Sequence, residues 1–107
     1  MGNRATVTLI DTYDNGVSVY AHWLGDDAYE IVKSVLTTTD RIGDDAYLSA
    51  QIIHALMAQG FTESDGTGIG IESGTRDPLW DDNEPMFVRT TTGEYRIGDG
   101  EWVNPNE

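Results

Sequence analysis

The chain contains no cysteine, so disulfides, thiolate metal sites and a cysteine nucleophile are excluded together. Lysine is nearly absent too: Lys33 stands alone beside five arginines. That shortage of positive charge removes the surface needed to grip nucleic-acid phosphates. It equally disfavours docking on an anionic membrane. No apolar run approaches the roughly 20 residues that cross a bilayer. The opening Met1-Gly2-Asn3-Arg4 lacks the apolar stretch of a signal peptide, and no basic patch is present to reinforce a lipid on Gly2. The expectation is a soluble, cytoplasmic protein that touches neither nucleic acid nor membrane directly.

What the chain has instead is carboxylate. Nineteen Asp and Glu face six Lys and Arg, for a formal net charge of −13 over 107 residues. Self-repulsion on that scale weakens a compact state unless the charge is used or screened. Asp outnumbers Glu by 12 to 7, and Thr is abundant at 12 residues, a pattern compatible with a salt-adapted surface. The other reading is an array of carboxylates facing a basic partner. Three Trp, five Tyr and two Phe concentrate apolar area in a few large side chains, enough for one core. The length predicts a single domain over 1–107.

Alternation over residues 5–10 predicts a strand with Ala5, Val7 and Leu9 on one face and Thr6 and Thr8 on the other. Asp14-Asn15-Gly16 then predicts a tight turn, since Asn-Gly readily takes positive φ angles. A second strand over 17–23 places Val17, Val19, Ala21 and Trp23 together, opposite Ser18, Tyr20 and His22. Two helices follow, each announced by Gly-Asp-Asp-Ala-Tyr, at 25–29 and at 43–47. Asp is a strong N-cap and suits the positive end of the helix dipole, so Asp27 and Asp45 are read as caps. Ala28, Ile31, Val32, Val35 and Leu36 form an amphipathic stripe, and Glu30 falls where a capping box would place it. Thr37-Thr38-Thr39 ends the first helix. The second, over 45–59, is apolar on a wider arc (Ala46, Leu48, Ala50, Ile52, Ile53, Leu56, Met57) and reads as the more buried, with Gly60 as its C′ residue and Phe61 packing back.

Beyond Phe61 the pattern predicts a glycine-rich strand carrying Ile69 and Ile71, an exposed polar loop over 76–85, a strand over 86–89, a turn over 90–93 and a partner strand over 94–97. Asp99-Gly100 offers another turn before Trp102-Val103, and the tail from Asn104 is expected to fray. The order implies an α+β fold: an antiparallel sheet from the N-terminal hairpin and the C-terminal short strands, with two helices packed on one face.

No complete catalytic constellation is present. Tyr20 and His22 share a strand face, with Ser18 beside them, yet nothing supplies an oxyanion hole or an orienting acid. Tyr20, His22 and Trp23 are a candidate stacking platform for a small ligand such as a nucleotide signal, with Arg4, Arg89 and Arg96 as the cations that can converge on it. His54 lies seven residues after Tyr47, on the same helical face, and reads as a polar rim position. Two histidines without an H-E-x-x-H pattern predict no zinc site. Asp81-Asp82-Asn83-Glu84 lacks the spacing of a calcium loop, because consecutive residues cannot all face one ion. The glycines over 66–70 lack the Gly-Lys-Ser/Thr ending of a phosphate loop. No cofactor is expected. Helix caps and turns account for Asp14, Asp26, Asp27, Asp44, Asp45 and Asp99. The unexplained acidity lies between Glu63 and Glu84, and Glu72, Asp77, Trp80, Asp81, Asp82 and Glu84 form the candidate partner-binding surface.

The opening Gly2-Asn3-Arg4-Ala5 and the strand Tyr20-Ala21-His22-Trp23-Leu24-Gly25 resemble a family of small uncharacterised phage and prophage proteins. Those proteins carry GNR(A/G), a Y-x-H-W-x-G strand, two helices and a C-terminal hairpin with tryptophan. Leu24-Gly25-Asp26 departs from the commoner H-W-N-G-G. The resemblance implies a viral or mobile-element origin and action in the host cytoplasm. The leading expectation is a non-enzymatic accessory protein that binds a basic host protein stoichiometrically. Its acidic surface would block a nucleic-acid site, as an anti-CRISPR or anti-restriction inhibitor does.

Overall fold

The computed structural model describes residues 4–22, 24–25, 27–60, 68–74 and 81–106, with Gln59 and Gly60 described by their backbone alone. Expectations for Trp23, Asp26, Phe61, Glu63, Asp77 and Trp80 therefore fall outside the described residues. The fold is α+β: a five-stranded, mostly antiparallel sheet with two helices.

Strands β1 (Ala5–Ile10) and β2 (Gly16–Ala21) form the antiparallel hairpin, Ala5 opposite Ala21 and Ile10 opposite Gly16. Their connection is a five-residue loop and not a two-residue Asn-Gly turn. The Asp11 carboxylate accepts from Tyr13 N at 2.8 Å and Asn15 N at 3.0 Å, and the positive φ falls on Asp14, at 61°. A short carboxylate that bonds the following backbone builds its own turn, and here it displaces the turn that Asn-Gly would make. β2 ends at Ala21, and His22 N donates to Gly68 O at 2.8 Å, in line with the pairing of Ala21 and Ile69.

Helix α1 (Asp27–Thr38) buries Ala28, Tyr29, Val32 and Leu36, leaving Ile31 and Val35 half-buried. Tyr29 joins the core because its hydroxyl donates to Glu84 O, which lets a polar tip be buried. Glu30 does not close a capping box; it accepts from Lys33 Nζ at 3.0 Å. Helix α2 (Asp45–Gly60) turns only Leu48, Ile52 and Leu56 fully inward. Ala46, Ala50 and Met57 are exposed, so α2 is not the more buried helix: one i, i+4, i+8 row is fully buried, Ile53 packs beside it half-buried, and these three face out. Gly60 lies inside the helix and not one residue beyond it.

Strands β3 (Ile69–Ser73), β4 (Met86–Arg89) and β5 (Tyr95–Ile97) complete a sheet of order β3-β2-β1-β4-β5. Every neighbouring pair is antiparallel except β1 and β4, which run parallel with Val7 opposite Met86 and Ile10 opposite Arg89. The sheet is thus antiparallel, as expected, but for this one pair. Only a long connection can return a strand in parallel, and the chain between β1 and β4 contains both helices. Gly93 closes the tight turn between β4 and β5 at φ 78°, with its N–H on Arg89 O at 2.8 Å. Any side chain there would be strained by that φ and would meet Ile42.

Central β1 is buried on both faces. Ala5, Val7 and Leu9 join Val19, Met86 and Val88 beneath the helices. On the opposite face Thr6, Thr8 and Ser18 are no more than 1% exposed. They are satisfied by hydrogen bonds: Thr8 Oγ1 to Ser18 Oγ at 3.0 Å, Ser18 Oγ to Gly74 O at 2.7 Å, and Thr6 Oγ1 to Asp81 Oδ2 at 2.6 Å. The tail does not fray through Asn106, whose side-chain amide donates to Leu36 O at 2.9 Å, and Val103 bridges Tyr95.

Of the two aspartates at the start of α2, Asp44 is the cap, accepting from Tyr47 N at 3.3 Å. Asp45 instead ties two loops to the start of α2: it accepts from Thr90 Oγ1 at 2.6 Å, Thr12 Oγ1 at 2.8 Å and Thr91 Oγ1 at 3.3 Å. The Thr90 hydroxyl first, then Thr12, holds its carboxyl below the ordinary value. A depressed folded pKa means the carboxylate stabilises the protein above the unfolded value of about 3.9, and that stability is lost as pH falls through the folded value. Asp45→Asn should therefore denature in urea at a lower midpoint than wild type at neutral pH, with the gap narrowing as acid is added. A gap constant from about pH 6 to pH 2 would show that Asp45 ionisation is not coupled to folding.

Candidate functional site

The described members of the expected acidic surface divide into two groups. Asp81, Asp82 and Glu84 gather where β1 and β4 begin. Asp82 Oδ2 accepts from Arg4 N at 2.8 Å, Asp82 N and Asn83 Nδ2 both donate to Arg4 O, and Asp81 accepts from Thr6. This stretch is strapped to the start of β1 and is not a loose loop. The Tyr29 bond to Glu84 O brings the first turn of α1, with Asp27, to the same end. The Glu84 carboxylate lies over Gly98, where a Cβ would stand 2.9 Å from Oε2, so Asp99 belongs there as well. Asp27, Asp82, Glu84 and Asp99 are all exposed. Glu72 stands apart: it is exposed on edge strand β3, paired with Ser18 across β2.

The opposite end is acidic too, but several of its carboxylates are engaged in structure. Asp11 builds the hairpin loop, Asp44 caps α2 and Asp45 joins the threonines. Arg41 lies 3.9 Å from Asp40 and 3.6 Å from Asp44, and Arg89 is 3.6 Å from Glu94. Charge is thus uneven. Residues 46–60 of α2 carry no charged side chain, and Ala46, Tyr47, Ala50, His54, Met57 and Ala58 are exposed along them.

Tyr20 and His22 are brought together as expected, Tyr20 Oη lying 3.2 Å from His22 Nδ1 and the rings meeting edge-on at 6.0 Å. Two of the three arginines do not converge on them: Arg89 and Arg96 lie on β4 and β5, with β1 between those strands and β2, whereas Arg4 directly precedes Ala5, the partner of Ala21 beside His22. Tyr47 and His54 are exposed on α2, consistent with a rim position. Among the described residues no group of three or more His, Asp or Glu is placed to hold a metal ion, and no helix is long and apolar enough to cross a membrane. The sequence reading missed the Asp45 knot and the stacking of Arg89 and Arg96 on aromatic rings. The second was legible as Phe87 and Arg89 sharing one strand face, by the two-residue period, near a second arginine–aromatic strand. Family models, characterised proteins and solved structures were compared with the chain, and none matches.

Proposed function

We propose that the protein acts by stoichiometric binding, its carboxylate-rich end covering the basic nucleic-acid site of another protein. The observation that carries this reading is the uneven spread of charge over the surface. Asp27, Asp82, Glu84 and Asp99 are exposed at one end, while the outer face of α2 is uncharged. Salt adaptation spreads carboxylates over the whole surface, whereas electrostatic capture concentrates them where the partner sits. The strapping of Asp81 and Asp82 to β1 supports it further, because carboxylates on a fixed backbone need less ordering on association. The resemblance of the N-terminal segment to small phage proteins fits an inhibitor of a host defence complex, of the anti-CRISPR or anti-restriction kind, working in the host cytoplasm.

Immobilised protein should retain basic nucleic-acid-binding proteins from a host lysate at about 50 mM salt and lose them at about 200 mM or when duplex DNA is added. The double variant Glu84→Lys/Asp99→Lys should slow association by about tenfold or more, as removal of steering charge does. Recovery of no basic partner at either salt concentration, or undiminished capture by the double variant, would remove the proposal.

A further inference from the structure

The sheet face opposite the helices carries an arrangement unexpected in so acidic a chain. Phe87 on β4 is paired with Arg96 on β5, and the guanidinium carbon of Arg96 lies 5.1 Å from the Phe87 ring centre and 5.2 Å from that of Trp102. Arg89, two residues along β4 and so on the same face, lies 3.9 Å from the Trp102 ring centre. Two of the protein's six basic residues therefore share one tryptophan, their guanidinium carbons no more than about 9 Å apart given their distances to its ring. Arg89 has Glu94 at 3.6 Å; Arg96 has no ion pair among the described residues. Its Nε is buried without a hydrogen-bond partner, while its Nη groups keep contact with solvent.

An arginine without a carboxylate is unexpected where carboxylates outnumber cations threefold. Stacking fixes the guanidinium plane and removes water from its faces, which strengthens what the remaining N–H groups can do for an anion. We infer that Arg89, Arg96 and Trp102 form a receptor for the phosphoryl group of a small phosphomonoester. Two guanidiniums match the charge of about −1.5 to −2 that a phosphomonoester carries at neutral pH. A phosphate held between them would take charge-assisted bonds of about 2.7–2.9 Å from each. Glu94 is the internal competitor, holding Arg89 until a phosphate displaces it. The site lies on a different face from the acidic end, so it stands or falls independently of the proposed partner binding.

The test is a ¹H–¹⁵N titration of the intact protein at constant pH and ionic strength, following the Arg96 Nε–H and the Trp102 indole N–H. Inorganic phosphate, adenosine monophosphate and adenosine serve as probes, with chloride as the control. Phosphate and the nucleotide should both move these signals saturably and adenosine should not. Tighter binding of the nucleotide than of phosphate identifies the source as a nucleotide; equal binding identifies free phosphate. Arg96→Lys, which keeps the charge but loses the planar fork, should weaken phosphate binding by about tenfold. Glu94→Gln should tighten it, and that second variant decides the matter should Arg96→Lys not fold. Phosphate shifts no larger than those of chloride, movement by adenosine alone, or indifference to Glu94→Gln would overturn the assignment.

Discussion

Replacing Leu36 by Ala is expected to destabilise the protein by about 2–5 kcal/mol, the cost of deleting a buried leucine side chain and leaving a cavity. Leu36 is fully buried at the end of α1, against the cluster that joins both helices to the sheet. Its carbonyl also receives the Asn106 amide, so movement of the helix end to refill the space would disturb the anchored tail. Collapse of the cavity is hindered for that reason, which places the loss toward the upper part of the range. Set against a total stability of about 5–15 kcal/mol for a domain, the loss is large. It should lower Tm by at least about 8 °C in calorimetry. Val35→Ala, at the half-buried neighbouring position, is the control and should cost clearly less. Equal losses at the two positions would mean that the core does not sit where α1 faces the sheet.

The helices are legible in the sequence because local signals specify them: an aspartate pair after a glycine at each start, and an apolar row at helical spacing. What is not legible is how much of each apolar arc the rest of the molecule covers. α2 has apolar residues nearly all round, so periodicity cannot distinguish the row that meets the core from Ala46, Ala50 and Met57, which face out. Strand existence is similarly local, and residues 86–89 read as a strand from their own pattern. Their parallel pairing with β1 depends on the length of chain between the two, which no local pattern encodes. Alternation correctly separates Thr6 and Thr8 from Val7 and Leu9. It cannot reveal that the threonine face is buried, since that depends on Gly74 and Asp81 from distant parts of the chain.

The acidic residues show the same division between local and distant causes. Composition records only the total, and the aspartates at 26–27 and 44–45 look alike because each pair follows a glycine and precedes Ala-Tyr. In the structure Asp44 caps and Asp45 reaches sideways to Thr12, Thr90 and Thr91, three residues whose neighbourhood exists only after folding. Asp81 and Asp82, read as solvated, hold the start of β1. Part of the net charge of −13 is therefore a structural necessity that any binding role must share. Substitutions at Asp81 would confound binding with folding, whereas Glu84 and Asp99 can be changed with less effect on the strap.

The buried Thr8–Ser18 pair should respond asymmetrically to mutation, and the direction of its hydrogen bonds explains why. Ser18 Oγ donates its single proton to Gly74 O at 2.7 Å, so Thr8 is the donor in the 3.0 Å contact between the two hydroxyls. Ser18→Ala removes the acceptor for Thr8 and the donor for Gly74 O at once, stranding a buried hydroxyl that is 1% exposed. The expected cost is about 1–3 kcal/mol, since an unsatisfied buried polar group suffers its full desolvation penalty. Thr8→Val keeps shape and branching and leaves the Ser18–Gly74 bond intact, so it should cost less. In the double variant no Thr8 hydroxyl remains to be stranded. Its loss should therefore fall below the sum of the two single losses, a coupling that urea denaturation of all four proteins measures directly. Strict additivity, or a larger loss for Thr8→Val than for Ser18→Ala, would show that the polar face of β1 is not held by this chain of hydroxyls.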